Sequence, residues 1–160
     1  MILVSVGTQL GFDRLVRGVD EWLAGRSDLQ VHFQIGRGEY RPRHGKWARF
    51  MDFGEYHDLA QRADLLISHA GMGALLTALE LEKPLLVMPR RGHLGEHRND
   101  HQQDAARHIF PTFGVTAVRG TQELQSALDR WDFLPPPSRE ALAERPHLAP
   151  SLSRLVDELA

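Results

Sequence analysis

The residues best suited to chemistry lie in three short polar stretches, each following an apolar run. His69-Ala70-Gly71-Met72-Gly73 follows Asp64–Ser68 (DLLIS) and precedes an apolar segment from about Ala74 to Leu81. Two glycines let a backbone approach a ligand closely. A following helix aims its free amides and positive end at the same spot, and a histidine adds a donor whose charge depends on pH. Together they suit a phosphate or diphosphate; the alternative is a glycine-rich turn with a structural histidine. Gly7-Thr8-Gln9 ends the first apolar run and offers amides and a hydroxyl to an anion at a helix start, or else a tight strand-to-helix turn. Neither GxxxxGK[ST] nor a GxGxxG after the strand is present, so this is not a nucleotide-hydrolysing P-loop.

The third stretch is Glu96–Asp104, EHRNDHQQD. On a continuous helix His97, His101, Asp104 and His108 fall on one face at metal-ligand spacing. A metal-dependent hydrolase using the His97/His101 face is therefore one reading. Sugar or hydroxyl recognition and a solvated polar face are the others, and HExxH is absent. Arg90 and Arg91 suit either bidentate phosphate contact or plain solvation. Trp22 and Trp131 are assigned to the core.

Strands are expected at Met1–Gly7, Leu29–Ile35, Ala48–Phe53, Asp64–Ser68, Pro84–Pro89 and Gly114–Val118. Helices are expected after Asp13, over Glu55–Ala63, Ala74–Leu81 and Asn99–His108, and after Thr121, with Arg37–Trp47 a polar loop. Strands alternating with helices predict an α/β, Rossmann-like parallel sheet with helices on both faces. Ligands bind beyond the carboxyl ends of such strands, which selects the loops Gly7–Phe12, His69–Gly73 and Pro89–Asp100. The domain is expected over 1–134, with a Pro-linked helical appendage over 135–160 whose helices lie near Ser138–Arg145 and Ser151–Leu159.

Nineteen basic against 21 acidic residues argue against a nucleic-acid partner. Without cysteine there is no disulfide or thiolate chemistry, which fits a cytoplasmic protein. No apolar run reaches the roughly 20 residues of a membrane span, and the opening is not expected to be a signal peptide.

The three loops together resemble the C-terminal, donor-binding half of two-domain GT-B glycosyltransferases, of the family 28 C-terminal type. VSVGTQLGFDRLV, SHAGMGALLTALELEKPLLVMPRR and GEHRNDHQQDAA carry the resemblance. Within that clan they are most similar to the split subunits of dolichol-diphosphate chitobiose synthase and of E-type bacterial exopolysaccharide glycosyltransferases. The resemblance implies that His69, Gly71, Met72 and Gly73 hold the donor diphosphate, with His69 stabilising the leaving group. Gly7, Thr8 and Gln9 would face that diphosphate, Phe53 and Gly54 would pack the base, and Asp100, His101 and Gln102 would meet sugar hydroxyls. The clan's ribose-gripping Glu maps to Thr77, with Glu80 one turn on as a substitute.

The resemblance also implies a UDP-sugar donor and metal-independent, inverting transfer to a lipid-linked saccharide acceptor. A membrane-anchored partner subunit would supply the acceptor site and hold the chain at the inner face of the cytoplasmic membrane. Self-association through the open cleft is a further expectation, and a non-catalytic nucleotide-binding scaffold is the alternative function.

Overall fold

A computed structural model describes residues 1–140. Six parallel strands form one sheet: β1 (Ile2–Ser5), β2 (Val31–Gln34), β3 (Lys46–Ala48), β4 (Leu65–His69), β5 (Leu85–Met88) and β6 (Thr116–Ala117). Four helices lie between strands, α1 (Asp13–Trp22), α2 (Phe53–Arg62), α3 (Met72–Leu81) and α4 (His101–His108), and α5 (Thr121–Leu128) follows β6. The spatial order is β3-β2-β1-β4-β5-β6. The chain winds outward from β1 in one direction and from β4 in the other. The connections leaving these two strands therefore diverge and open a crevice at their carboxyl ends.

Side-chain alternation sorts the core into two layers. Ile2, Val4, Val6, Phe33 and Ile67 meet Leu15, Val16 and Val19 of α1 and Leu124 and Leu128 of α5. Leu3, Leu66, Leu85 and Val87 meet Leu59 of α2, Leu75 and Ala78 of α3 and Ala106 of α4. Burial on both faces explains why β1, β4 and β5 read as continuous apolar runs. Trp22 lies in the first layer, and Trp131 packs against it partly buried.

Several local expectations are corrected. The third strand is Lys46–Ala48, not Ala48–Phe53: it shares only Ala48 with the expected strand, and Lys46 and Trp47 lie in the stretch expected to be loop. It pairs only with β2, at the sheet edge, with Lys46 and Trp47 exposed, so no buried face marked it. Asp52 ends that segment by capping α2, its carboxylate accepting the Glu55 N–H at 2.8 Å. Asp13 and Thr121 do not precede their helices but begin them, with Phe12 and Gly120 at the cap positions. The Asp13 carboxylate instead accepts the Glu39 amide across the loops. Helix α4 starts at His101, which leaves His97 outside it and breaks the four-residue histidine face. Among the described residues no cluster of three His, Asp or Glu side chains forms a metal site.

Beyond the last short turn the chain returns to the domain. Ser138 N–H donates to the Phe113 carbonyl at 2.9 Å, and the Arg139 guanidinium donates to the Leu79 carbonyl. The expected helix near Ser151–Leu159, and most of the one near Ser138–Arg145, lie outside the described residues. Among those described, no helix is long and apolar enough to cross a membrane.

Candidate functional site

The β1–β4 crevice brings two of the three polar stretches into contact. β1 leaves the sheet through Gly7, whose φ of +76° only glycine adopts without strain. A Cβ there would also press on Cε1 of His69 at 2.9 Å. From the other side, a Cβ on Gly71 would collide with Nε2 and Cδ2 of the same ring. The His69 imidazole therefore fills a slot whose walls are the two glycines, one from each loop.

Hydrogen bonds orient that ring. Ser68 Oγ donates to the Ser5 carbonyl at 3.0 Å, and His69 Nδ1 lies 3.2 Å from Ser68 Oγ. With the hydroxyl proton committed to Ser5, the network assigns the ring hydrogen to Nδ1. Nε2, on the glycine side, then carries a lone pair. Burial, followed by the nearby positive charge of Arg90 and by His97, pushes the His69 pKa down to about 3. The ring is neutral at pH 7, and Nε2 must gain a proton before it can donate to an oxyanion.

Helix α3 starts at this point. Gly71 occupies its cap position, and no side chain caps the first turn. The leading amides and the positive end of the dipole are open to an anion. Met72 is buried in the second core layer, so only its backbone faces the crevice. Around Gly73 a Cβ would meet nothing within 4 Å, which marks open space above the first turn. Thr8 and Gln9 are exposed on the opposite loop.

The other expected residues lie on α2, on α3 and at the start of α4, the helices that follow β3, β4 and β5. Phe53 begins α2, is 83% exposed, and stacks on His57 at 5.9 Å between ring centroids. Gly54 beside it is exposed. Thr77 Oγ1 donates to the Gly73 carbonyl at 3.0 Å, which leaves its lone pairs to accept a bond, and Glu80 is exposed. Asp100 and Gln102 shape the loop after β5. Asp100 Oδ1 accepts the Gly92 amide at 2.9 Å and the Gln103 side-chain amide at 2.7 Å. Gln102 Oε1 accepts the Arg90 amide at 3.1 Å, leaving its NH2 group for other partners. The His101 side chain is exposed.

Sequence reasoning missed the framework beneath these loops. Arg90 does not point outward. Its side chain is buried and bonds backbone carbonyls. Arg14 of α1 holds Glu96 in a two-pronged ion pair at 2.7 and 2.8 Å. Glu96 also accepts the Arg91 amide at 2.8 Å. No local signal announces a pair 82 residues apart; position just past an apolar strand was the one available clue to Arg90.

Comparison with known proteins identifies the family and the fold. Residues 1–144 match the glycosyltransferase family 28 C-terminal domain. The chain is 34% identical over 116 residues to the UDP-N-acetylglucosamine transferase subunit ALG13 of Mus musculus, covering 66% of this chain and 10% of that protein. It is 31% identical over 140 residues to the UDP-N-acetylglucosamine–N-acetylmuramyl-(pentapeptide) pyrophosphoryl-undecaprenol N-acetylglucosamine transferase of Prochlorococcus marinus, covering 81% of this chain and 37% of that protein. The chain thus spans well under half the length of these relatives. Its fold matches a solution structure of ALG13 with a TM-score of 0.59 at 22% identity, over 85% of this chain and 88% of that one. It matches the kitacinnamycin glycosyltransferase with a TM-score of 0.62 at 22% identity, over 99% of this chain and 38% of that one. With the switch-point crevice and the matched residues in agreement, the chain belongs to the glycosyltransferase family 28 C-terminal domain family and has the Rossmann-like fold of one GT-B half.

Proposed function

We propose that this chain is the donor-binding subunit of an inverting glycosyltransferase. It takes a UDP-sugar and works with a membrane-anchored partner on a lipid-linked acceptor, at the inner face of the cytoplasmic membrane, in exopolysaccharide assembly. The observation that carries this reading is the junction of the Gly7 loop, His69 and the uncapped start of α3 at the β1–β4 switch point. Charge develops on the leaving diphosphate as the bond to the anomeric carbon breaks. Preorganised amides and a helix dipole meet that charge without reorganising. His69 enters neutral, and the arriving anion favours uptake of a proton from solvent at Nε2, which then donates to a phosphoryl oxygen. No metal is needed in this scheme.

Phe53 offers a flat exposed surface beside the base, and Thr77 an acceptor for a ribose hydroxyl. Asp100, His101 and the free amide of Gln102 lie on the sugar side. The acceptor hydroxyl needs a base and exclusion from water, and one half-domain offers no second wall; the partner supplies both. Both relatives are named as N-acetylglucosamine transferases and one as a subunit, so UDP-N-acetylglucosamine is the first donor to test.

Calorimetry with UDP and UDP-N-acetylglucosamine tests binding. Labelled-sugar transfer to lipid extracts, using membranes from cells lacking this chain, tests the reaction. Saturable UDP binding and chelator-resistant transfer that requires added protein support the reading. UDP binding without transfer favours a nucleotide-binding scaffold, and absence of both refutes the proposal.

A further inference from the structure

The loop facing the crevice from β1 is held from below by a buried cation. Arg90 is 3% exposed, and its guanidinium donates to four backbone carbonyls. Nη1 reaches Gly11 at 2.6 Å and Glu96 at 3.1 Å, while Nη2 reaches Leu10 at 2.9 Å and also Val6. Three of these acceptors belong to the Val6–Gly11 turn, 79 to 84 residues away in sequence. The guanidinium carbon also lies 4.9 Å from the centroid of the Phe12 ring. Burial lowers the Arg90 pKa to about 10, with Glu96 opposing the shift, so the group stays cationic at neutral pH.

Burying a guanidinium is costly, and an apolar side chain of similar volume would fill the space without that cost. An apolar side chain would not gather three carbonyls of one loop beneath it. Carbonyl oxygens turned toward the guanidinium are withdrawn from the crevice, where they would repel a phosphoryl group. The cation itself adds favourable charge under the loop. Arg90 is also tied to the two neighbouring segments. Its amide donates to Gln102 at the start of α4, and its Nη1 contact to the Glu96 carbonyl joins it to the residue that Arg14 clamps.

We propose that Arg90 is a positioning residue for the donor's pyrophosphoryl group, acting through the Val6–Gly11 loop rather than by touching the ligand. This rests on the donor-binding reading above. Arg90→Lys keeps the charge but cannot fork to four carbonyls. Nuclear magnetic resonance titrations of wild type and R90K with UDP and with uridine, which lacks both phosphates, separate the roles.

The expected result is UDP affinity about tenfold weaker in R90K, the scale of one lost hydrogen bond to a charged group, with uridine affinity unchanged. Equal loss for both ligands, or no loss, overturns the proposal. If R90K fails to fold, Glu96→Gln takes its place: it loosens the Arg14 clamp and is expected to weaken UDP selectively by a few-fold. Unchanged selectivity there overturns the proposal equally. Wild-type protein that binds no UDP removes the donor reading and this one together. Wild-type binding with unaltered UDP-to-uridine selectivity in the variants removes only the role of Arg90.

Discussion

Gly71 is glycine because His69 is where it is: the imidazole occupies the volume that a Cβ at Gly71 would need. The Gly71 φ of −98° is open to any residue, so the requirement is steric and not conformational. The two residues form one device, since a side chain at one displaces the other.

Gly71→Ala is therefore expected to shift the ring and the first turn of α3 together. UDP affinity should fall by about tenfold or more, while overpacking costs about 1–3 kcal/mol of stability. Calorimetry with UDP and thermal unfolding check the two effects. Wild-type affinity in G71A shows that the ring and amides need not hold their present geometry.

The pH dependence of stability reports on His69. Its folded pKa, about 3, lies below the ordinary 6.5, so between these values the unfolded chain binds the proton and the folded one does not. The unfolded state binds more protons, and stability rises with pH across that window. Wild type should lose stability as pH falls below 6.5, and His69→Gln should lose less over the same range. Urea unfolding at pH 7 and pH 5 measures the difference. Parallel declines would remove the depressed pKa.

A second buried group braces the far side of α1. Asp20, 1% exposed, accepts the Tyr40 hydroxyl at 2.7 Å, the Arg43 and His44 amides at 3.0 and 2.8 Å, and lies 3.1 Å from His44 Nδ1. Burial by itself raises its pKa, but the bonds from Tyr40, Arg43 and His44 outweigh it and leave the carboxyl below 3.8. The folded value is depressed, so this stabilisation is complete above the unfolded pKa and is lost as pH falls through the folded one. Asp20→Ala leaves a hydroxyl and two amides without their acceptor and should cost about 3 kcal/mol. Equilibrium denaturation checks this; a change under about 0.5 kcal/mol, the range of an ordinary surface substitution, shows that water replaces the carboxylate without penalty.

The parallel sheet and its order of elements were legible because doubly covered strands must be apolar throughout, as β1, β4 and β5 are. The loops that matter were legible for a related reason. Glycines and a histidine between an apolar strand and an apolar helix mark a turn where backbone is closely approached, by a ligand or, as at Gly71, by the histidine itself. Strand β3 was hidden because an edge strand with exposed residues has no buried face to betray it. The reach of α4 was overestimated because polar residues read alike in a helix and in the turn before it.

By itself, the order of residues determined the architecture and the family, and it marked the Gly7 and His69–Gly73 loops that meet at the β1–β4 crevice. Only the tertiary structure decided that His69 stands between Gly7 and Gly71 in its neutral form. Only the fold, too, turned Arg90 inward and paired Arg14 with Glu96. Periodicity and local spacing are properties of neighbours along the chain. Protonation, steric exclusion and the choice of a hydrogen-bond acceptor depend on neighbours in space, and those come into being when β1, β4 and β5 align their ends.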